Sequence, residues 1–154
     1  MIALLQRVLE AEVRIEGAVV ATIRQGLLVF VGVRPDDDDG VAQKLLGKIL
    51  KYRVFADEGG KMNLNLCQIG GDLLLVPQFT LAADTRHGLR PGFSTAAAPD
   101  LGRRLFAGLA EAARAQHPRV ECGVFGADMQ VALVNDGPVT FWLEEWAGRG
   151  ARSA

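Results

Sequence analysis

The side chains that could form a catalytic centre are few, and their spacing does not bring them together. The sequence contains two histidines, His87 and His117. Asp84, His87 and Ser94 supply the residue types of a hydrolytic triad, but all three belong to one predicted loop, and no Gly-x-Ser-x-Gly sequence exposes the serine. His117 stands at a predicted helix end, where we expect it to cap the helix or to contact solvent. The residues therefore predict no nucleophile paired with a base.

The candidate ligands for a metal ion or a phosphate group have simpler interpretations. The four aspartates at residues 36–39 precede a helical pattern, and acidic residues at a helix start complement the helix dipole. Residues 59–62, Gly-Gly-Lys-Met, lack the glycine spacing and the Ser or Thr of a phosphate-binding loop. Cys67 and Cys122 are far apart, which indicates two ordinary thiols rather than a zinc site or a disulfide. We expect no metal and no cofactor.

Two other segments have residue types that are unusual for their setting. At residues 77–80, Pro-Gln-Phe-Thr interrupts an apolar strand just before a polar loop, and strand ends that open into loops commonly carry sites. At residues 135–140, Asn-Asp-Gly-Pro-Val-Thr separates two apolar segments. Gly-Pro sequences are typical of turns, and an X-Pro bond is cis in only about 5–6% of cases. The residues alone therefore predict a simple turn at this point.

Both segments must be positioned by the surrounding helices and strands. One helix is predicted after the four aspartates, with Leu and Ile at residues 45–50 on one face, and a second helix after Pro99. The predicted strands are residues 4–8, 13–15, 19–23, 27–33, 53–56, 120–125, 129–135 and 139–146, with a further apolar strand inside residues 72–81 and a tight turn at residues 16–17. This order predicts an α+β fold, in which a compact, largely antiparallel, barrel-like sheet packs with two main helices.

Composition limits the class of protein. With 154 residues, of which 49% are hydrophobic, the chain has the size and apolar content of one folded domain, which we place at residues 1–146. Residues 147–154 have no apolar anchor and are expected to form a disordered tail. No apolar stretch reaches the roughly 20 residues of a membrane helix, so a cytoplasmic protein is expected. A net charge of −1 argues against binding of long nucleic acids, DNA included, but permits contact with a short RNA end.

Six short motifs occur in order between the N-terminus and about residue 146. They are Gln-Arg-Val at residues 6–8, Gly-Lys-Met-Asn-Leu-Asn at 60–65, Gln-Phe-Thr-Leu-Ala at 78–82, Arg-Pro-Gly-Phe-Ser at 90–94, Ala-Asp-Met-Gln-Val at 127–131 and Asn-Asp-Gly-Pro-Val-Thr at 135–140. Together they resemble the D-aminoacyl-tRNA deacylase family, the D-Tyr-tRNA deacylases. The resemblance implies a homodimer of α+β subunits, related to an editing domain of some archaeal threonyl-tRNA synthetases. It also implies hydrolysis of the ester that joins a D-amino acid, or glycine, to the terminal adenosine of tRNA.

The resemblance assigns the reacting part of the site to the motif Ser-Gln-Phe-Thr-Leu-Ala. This motif matches residues 77–82, except that Pro77 replaces the serine and so removes a hydroxyl and a backbone N–H. The backbone N–H groups of Phe79 and Thr80 are then expected to stabilise the oxyanion, and Gln78 to contact the ribose or the base. The ribose hydroxyl beside the ester is expected to assist, so that catalysis needs no metal.

The second family motif, Asn-x-Gly-Pro-Val-Thr, matches residues 135–140. In the family, the bond equivalent to Gly137-Pro138 is cis and enters the active site of the partner subunit, where rigid backbone excludes an L side chain. Arg7 is expected to hold this segment by a hydrogen bond or to form an ordinary ion pair. Met129 is expected among the substrate-binding residues.

Several alternatives accompany these expectations. The Thr80 hydroxyl is an alternative nucleophile, and Phe79 could pack in the core instead of beside the adenosine. A sister editing enzyme would have a trans Gly-Pro bond and admit L-alanine, and a non-catalytic module that binds an RNA end or a protein would keep the fold without turnover. Basic residues available for tRNA phosphates, which could equally face solvent, are Lys44, Lys48, Lys51, Arg86 and Arg90.

Overall fold

A mixed sheet organises the part of the chain that the computed structural model describes, residues 1–148. The elements in chain order are β1 (Ile2–Ile15), β2 (Ala18–Ile23), β3 (Gly26–Gly32), α1 (Asp39–Lys51), β4 (Phe55–Ala56), β5 (Met62–Leu64), α2 (Leu66–Ile69), β6 (Asp72–Pro77), a 3-10 helix (Phe79–Ala82), α3 (Pro99–Gln116), β7 (Val120–Cys122) and β8 (Gln130–Glu144). Six of the strands form the main sheet, and β4 pairs with β5 separately.

The long strand β1 is the centre of the main sheet. It pairs antiparallel with β3 over its first half, with β2 over its second half and with β8 along most of its length. The β3–β6 and β6–β7 pairs are parallel. Helices connect the strands of each pair and provide the long crossover that a parallel pair needs. The α+β, barrel-like architecture is confirmed, but the sheet is mixed rather than largely antiparallel, and the described residues contain three α-helices instead of two.

Two apolar clusters cover the two faces of this sheet. One lies between the sheet and the helices α1 and α3, and it includes Leu27 and Leu75. The other lies on the opposite face and includes Leu28 and Leu74. Because neighbouring residues of a strand point to opposite faces, β3 and β6 are buried on both sides, as the continuous apolar sequence of β3 predicts.

Two local predictions are confirmed at the ends of elements. The acidic run starts a helix, since the Asp38 carboxylate accepts a hydrogen bond from the Val41 N–H at 2.8 Å and caps α1. The turn between β1 and β2 lies at Glu16 and Gly17, which have φ of 49° and 80°. Two residues with positive φ form the turn type that suits a tight hairpin.

One predicted boundary agrees with the structure and one is wrong, and both concern the motifs. The strand predicted inside residues 72–81 ends at Pro77, where Pro-Gln was expected to interrupt it, and residues 79–82 form the 3-10 helix. Residues 129–135 and 139–146 do not form two strands joined by a turn. Both segments belong to β8 and pair with β1, with Asn135 opposite Val8 and Thr140 opposite Gln6. Residues 136–139 therefore form a bulge within one strand.

The chain beyond β8 returns to the body of the protein. The Arg34 guanidinium lies 3.5 Å from the centroid of the Trp146 ring, a cation–π contact. Ala147 packs against the apolar cluster on the helix side of the sheet. The rest of the predicted tail, residues 149–154, lies outside the described residues. Within residues 1–148, no helix has both the length and the apolar character needed to cross a membrane.

Candidate active site

The first motif lies where β6 leaves the sheet. The parallel pairing of β6 with β3 extends to Pro77, which lies opposite Val31. The Gln78 N–H donates to the Val31 carbonyl at 2.8 Å, and the chain then enters the 3-10 helix. Gly32 permits this close approach, since a Cβ there would lie 3.0 Å from Leu81 Cβ and 3.2 Å from the Gln78 carbonyl oxygen. A strand end and one glycine thus fix the position of the motif.

The first turn of the 3-10 helix leaves two backbone donors without acceptors among the described residues. Its first hydrogen bond runs from the Leu81 N–H to the Gln78 carbonyl at 3.2 Å. The N–H groups of Phe79 and Thr80 precede this bond, and no acceptor is found for them within residues 1–148. Both residues are exposed. Two adjacent N–H groups of this kind can bind an oxygen on which negative charge develops.

The side chains around these donors contact one another. Phe79 is 56% exposed, and its ring lies against Phe93 with the centroids 5.1 Å apart. The Gln78 side-chain amide donates a hydrogen bond to the Thr80 hydroxyl oxygen. Within residues 1–148, no histidine, lysine or carboxylate is hydrogen-bonded to that hydroxyl. The described part of the chain therefore pairs Thr80 with an amide, which is not a base.

Met129 lies beside the first motif and contacts the same surface as Pro77. A Cβ on Gly123 would lie 2.9 Å from the Met129 sulfur and 3.4 Å from Pro77 Cδ, so both side chains lie close to this glycine. The sulfur also accepts a hydrogen bond from the Val124 N–H at 3.3 Å. Met129, which was expected to bind substrate, is thus brought close to the motif from the start of β8.

Pro77 lies where the pairing of β6 with β7 ends. Along β6, the N–H groups of alternate residues point toward β7, as in the bond of 2.9 Å from the Leu73 N–H to the Arg119 carbonyl. The nitrogen of Pro77 points the same way, but the pairing ends earlier, at the bond of 2.8 Å from the Gly123 N–H to the Leu75 carbonyl. Proline in place of the expected serine therefore removes a hydroxyl and the next backbone N–H on the β7 side of the strand.

The second motif is the bulge in β8, which hydrogen bonds close at its base. The Asn135 Nδ2 group donates to the Thr140 hydroxyl oxygen at 3.0 Å. The Asn135 Oδ1 atom accepts a hydrogen bond from the Val139 N–H at 3.2 Å. Asn135 and Thr140, at the two ends of the motif, thus stabilise the bulge. The sequence pattern did not identify this role.

Gly137 and Pro138 form the exposed tip of the bulge, and the peptide bond between them is cis. Gly137 has φ of +128°, a conformation that L residues rarely adopt. A Cβ at this position would lie 2.7 Å from Val139 Cγ2. The backbone of the bulge therefore requires glycine at position 137.

Arg7 of β1 holds the bulge from the neighbouring strand. Its Nε donates to the Asp136 carbonyl at 3.1 Å, and its Nη1 donates to the Val54 carbonyl at 2.7 Å. The same side chain, which is 15% exposed, forms an ion pair of 3.2 Å with the Asp136 carboxylate. The hydrogen bond and the ion pair that were alternatives for Arg7 in the sequence are both present.

The two motifs lie far apart within one chain. Pro77 is in register with Val31 of β3 and, through it, with Ala3 of β1, whereas the bulge of β8 lies opposite Arg7. Three strand spacings and four residues of strand length separate them, which is on the order of 20 Å. That distance is too large for one aminoacyl ester to contact both motifs of a single copy.

The loop after the first motif holds the residues that were considered as a triad. The Asp84 carboxylate accepts two hydrogen bonds of 2.8 Å from the Arg86 side chain, and these bonds hold the pKa of Asp84 well below its usual range. Within residues 1–148, no hydrogen bond joins Asp84, His87 and Ser94. In the same residues, no group of three His, Cys, Asp or Glu side chains could hold a metal ion.

The basic residues of α1 line a separate surface. Lys44, Lys48 and Lys51 border an open groove of about 590 Å³ together with Tyr52. Lys48 is paired with Glu145 at 2.8 Å, which ties α1 to the end of β8. Tyr52 also packs against Phe141, which follows the second motif, with the ring centroids 5.4 Å apart. Among the described residues, the lining of the groove includes none of the first motif.

Comparison with known proteins identifies the family. The family model described as D-Tyr-tRNA(Tyr) deacylase matches residues 4–144. The chain belongs to this family. The match confirms the resemblance drawn from the six motifs. Both motifs of the candidate site lie inside the matched residues of this member of the D-Tyr-tRNA(Tyr) deacylase family.

Relatives and solved structures agree with this family assignment. D-aminoacyl-tRNA deacylases of Pseudomonas putida and Stutzerimonas stutzeri are 63% and 62% identical over 144 residues, which cover 94% of this chain and 99% of each relative. The solved structure of c-Myc DNA Unwinding Element Binding Protein matches with a TM-score of 0.91 at 34% identity, over 96% of this chain and all of that one. A probable eukaryotic D-amino acid tRNA deacylase matches in fold, with a TM-score of 0.81 at 18% identity over 94% of this chain and 98% of that one.

Proposed function

We propose that this member of the deacylase family hydrolyses the ester bond of D-aminoacyl-tRNA and of glycyl-tRNA, and leaves L-aminoacyl-tRNA intact. Family membership makes the chain a hydrolase that acts on aminoacyl-tRNA. The observation that carries the proposed hydrolysis is the pair of backbone N–H groups at Phe79 and Thr80, which have no acceptor within residues 1–148. The cytoplasm, where charged tRNA is used, is the proposed location, and residues 1–146 are the proposed catalytic domain.

The N–H pair supports a hydrolysis in which no side chain attacks the ester. Water adds to the ester carbonyl carbon and loses a proton, while negative charge develops on the carbonyl oxygen. Preorganised N–H donors stabilise this oxyanion, and removal of one such donor typically lowers kcat about 10²–10³-fold. The intermediate then expels the ribose 3′ oxygen, which takes up a proton. The neighbouring 2′-hydroxyl of the tRNA hydrogen-bonds the attacking water, so the RNA assists its own cleavage without a metal or a cofactor.

Side chains next to the donors are suited to hold the terminal adenosine. The exposed ring of Phe79, supported by Phe93, offers an aromatic face of the kind on which bases stack. The Gln78 amide uses an N–H on Thr80, which leaves its carbonyl oxygen for a ribose hydroxyl. Met129 and Pro77 supply an apolar edge on the other side of the motif.

The distance between the motifs supports a site shared by two copies of the chain. In the proposed homodimer, the bulge of one copy enters the site formed by the first motif of the other. Backbone carbonyls of the exposed Gly137 and Pro138, which Arg7 and Asn135 hold in place, then lie against the substrate α-carbon. A rigid backbone leaves room there for hydrogen and collides with an L side chain, whereas glycine has no side chain to reject.

A deacylation panel on one tRNA body tests the proposal. The tRNA is charged with D-Tyr, L-Tyr, Gly or L-Ala and incubated with the purified protein in a chelator-containing buffer. We expect release of D-Tyr and Gly far above the uncatalysed rate, with L-Tyr retained. The Phe79→Pro variant, purified in the same way, controls for contaminating hydrolases.

Other outcomes of the panel identify the alternatives. Release of L-Ala with retention of D-Tyr would identify the sister editing activity. Stoichiometric binding of charged tRNA without release would identify a non-catalytic module, a class suggested by the structural neighbour named for DNA binding. Loss of D-Tyr release in chelator, with recovery on adding a divalent cation, would contradict catalysis by backbone and RNA alone.

A further inference from the structure

Cys67 and His117 form a contact that the proposed function does not use. Cys67 is an exposed residue of α2, whereas His117 is the C-cap of α3 and is 4% exposed. The Cys67 sulfur lies 3.6 Å from His117 Nδ1. The two residues are brought together because the ends of α2 and α3 meet near the start of β6.

The second ring nitrogen of His117 fixes the roles of the pair. His117 Nε2 lies 2.8 Å from the Gly71 carbonyl oxygen, which can only accept a hydrogen bond. Nε2 therefore carries a proton, and in the neutral ring Nδ1 presents its lone pair to the Cys67 thiol. A thiol, an imidazole that accepts its proton and a third group that orients the ring are the parts of an activated nucleophile.

The helix that carries Cys67 is held firmly at both ends. Asn65 and Gln68 form a reciprocal cap, in which each side chain bonds to the backbone of the other residue. At the other end, the Arg119 guanidinium donates to the Gly70 carbonyl and pairs with Asp72 at 2.6 Å. The sulfur is thus presented at the surface while its proton acceptor is buried beneath it.

We propose that Cys67 is a modification site, at which His117 activates the thiol toward low-molecular-weight disulfides such as oxidised glutathione. The Cys67 proton passes to His117 Nδ1, and the sulfur attacks one sulfur atom of the disulfide. The disulfide bond breaks as the mixed disulfide with Cys67 forms, and the departing thiolate takes the proton back from the imidazolium. One disulfide is exchanged for another, so no further oxidant is required.

Cys122, the second thiol of the chain, provides a comparison for the reactivity of Cys67. Burial raises the pKa of Cys122, so less of it is present as the reactive thiolate. Its sulfur accepts a hydrogen bond of 3.3 Å from Arg114, and no imidazole contacts it within residues 1–148. Cys122 is therefore expected to react slowly with electrophiles.

Alkylation by iodoacetamide, followed by peptide mass spectrometry over time, tests the site. His117→Gln keeps an N–H donor for the Gly71 carbonyl and removes the lone pair at Nδ1. The double variant Cys67→Ser/Ala107→Cys supplies a matched control, an exposed thiol on α3 that is ten residues from His117. We expect Cys67 to react about tenfold faster than the control thiol, and His117→Gln to lower its rate to that of the control.

Oxidised glutathione gives the second readout. One glutathionyl group is expected on the wild-type chain and none on Cys67→Ser in the same time. Equal alkylation rates for Cys67 and the control thiol, or an unchanged Cys67 rate in folded His117→Gln, would overturn the proposal. If His117→Gln fails to fold by circular dichroism, the comparison of the wild type with the double variant decides alone. No readout uses deacylation, so failure here leaves the proposed function untouched.

Discussion

At position 79, the backbone N–H is assigned to the oxyanion and the aromatic ring to the adenosine, and different substitutions remove each of them. The Phe79 N–H has no acceptor within residues 1–148, and proline suits the first position of a helix. Gln78 before it has φ of −141° and ψ of 80°, which lies outside the helical region that a following proline disfavours. Phe79→Pro is therefore expected to keep the fold and to lower kcat for D-Tyr-tRNA about 10²–10³-fold.

The matched control for this prediction is Phe79→Ala, which keeps the N–H and loses the ring. It is expected to raise KM with a smaller effect on kcat, because the ring is assigned to binding of the adenosine. Single-turnover and steady-state deacylation of D-Tyr-tRNA separate the two parameters, and circular dichroism reports folding. Equal losses of kcat in both variants would contradict a role for the backbone donor.

Thr80 is expected to act through its N–H rather than its hydroxyl. The hydroxyl accepts a hydrogen bond from the Gln78 amide, which cannot take up its proton. Thr80→Ala is therefore expected to retain kcat within about tenfold of the wild type, since it keeps the backbone donor. A fall of several orders of magnitude with unchanged substrate binding would show that the hydroxyl attacks the ester.

The bulge in β8 is an element whose position depends on the forked contact of Arg7. Arg7→Lys keeps the charge but cannot reach both Asp136 and Val54 with separate donors. We expect the D-Tyr to L-Tyr rate ratio to fall about tenfold, with Gly-tRNA hydrolysis little changed, because glycine has no side chain to reject.

Arg14→Lys is the control for the bulge, since Arg14 lies on the same strand and pairs only with Glu12 among the described residues. Initial rates on the three charged tRNAs are measured for both variants. An equal fall in all three rates for Arg7→Lys would mean that the bulge supports the fold and not chiral selection.

The element boundaries show which signals a single sequence carries. Alternation and apolar runs identified the strands, and the helix start at the acidic run of residues 36–39 was predicted correctly because the helix dipole acts locally. The turn predicted at residues 135–140 was wrong. The Gly-Pro sequence is a local signal, whereas the segments on both sides of it pair with β1, which is distant in sequence. The parallel pairs were missed for the same reason, since pairing partners are set by long-range packing.

The candidate site was predictable to a similar extent. The apolar strand that ends at residues 77–80, together with the family motifs, is enough to indicate Gln78, Phe79 and Thr80 from the amino-acid sequence alone. Phe93 supports Phe79, and Met129 and Pro77 both lie close to Gly123, so these pairs join residues that are far apart in sequence. No periodic pattern encodes such contacts, so only the fold reveals them.

At the scale of the whole molecule, the separation of the motifs predicts a working dimer. Gly137→Ala would displace the bulge, because its Cβ would lie 2.7 Å from Val139 Cγ2, and is expected to admit L-Tyr-tRNA. When Gly137→Ala chains exchange subunits with an excess of Phe79→Pro chains, each intact first motif receives a native bulge. Hydrolysis of L-Tyr-tRNA should then fall to background while that of D-Tyr-tRNA persists.

Mixing without subunit exchange is the control, and sedimentation reports the oligomeric state. If each copy used its own bulge, the excess chains would not alter L-Tyr-tRNA hydrolysis by Gly137→Ala. A mass of one chain, 16.5 kDa, at assay concentrations would also contradict the shared site.

The strand β1 has a neighbour on each side along nearly all of its length, since β3 and β2 share one edge and β8 covers the other. The amide protons of β1 reach water only when three strands separate. They are therefore expected to exchange with deuterium only on global unfolding. Because β1 lies between the strands that carry the two motifs, we expect heating to unfold the site together with the rest of the protein and not before it. Catalysis and native ellipticity are expected to vanish in a single transition.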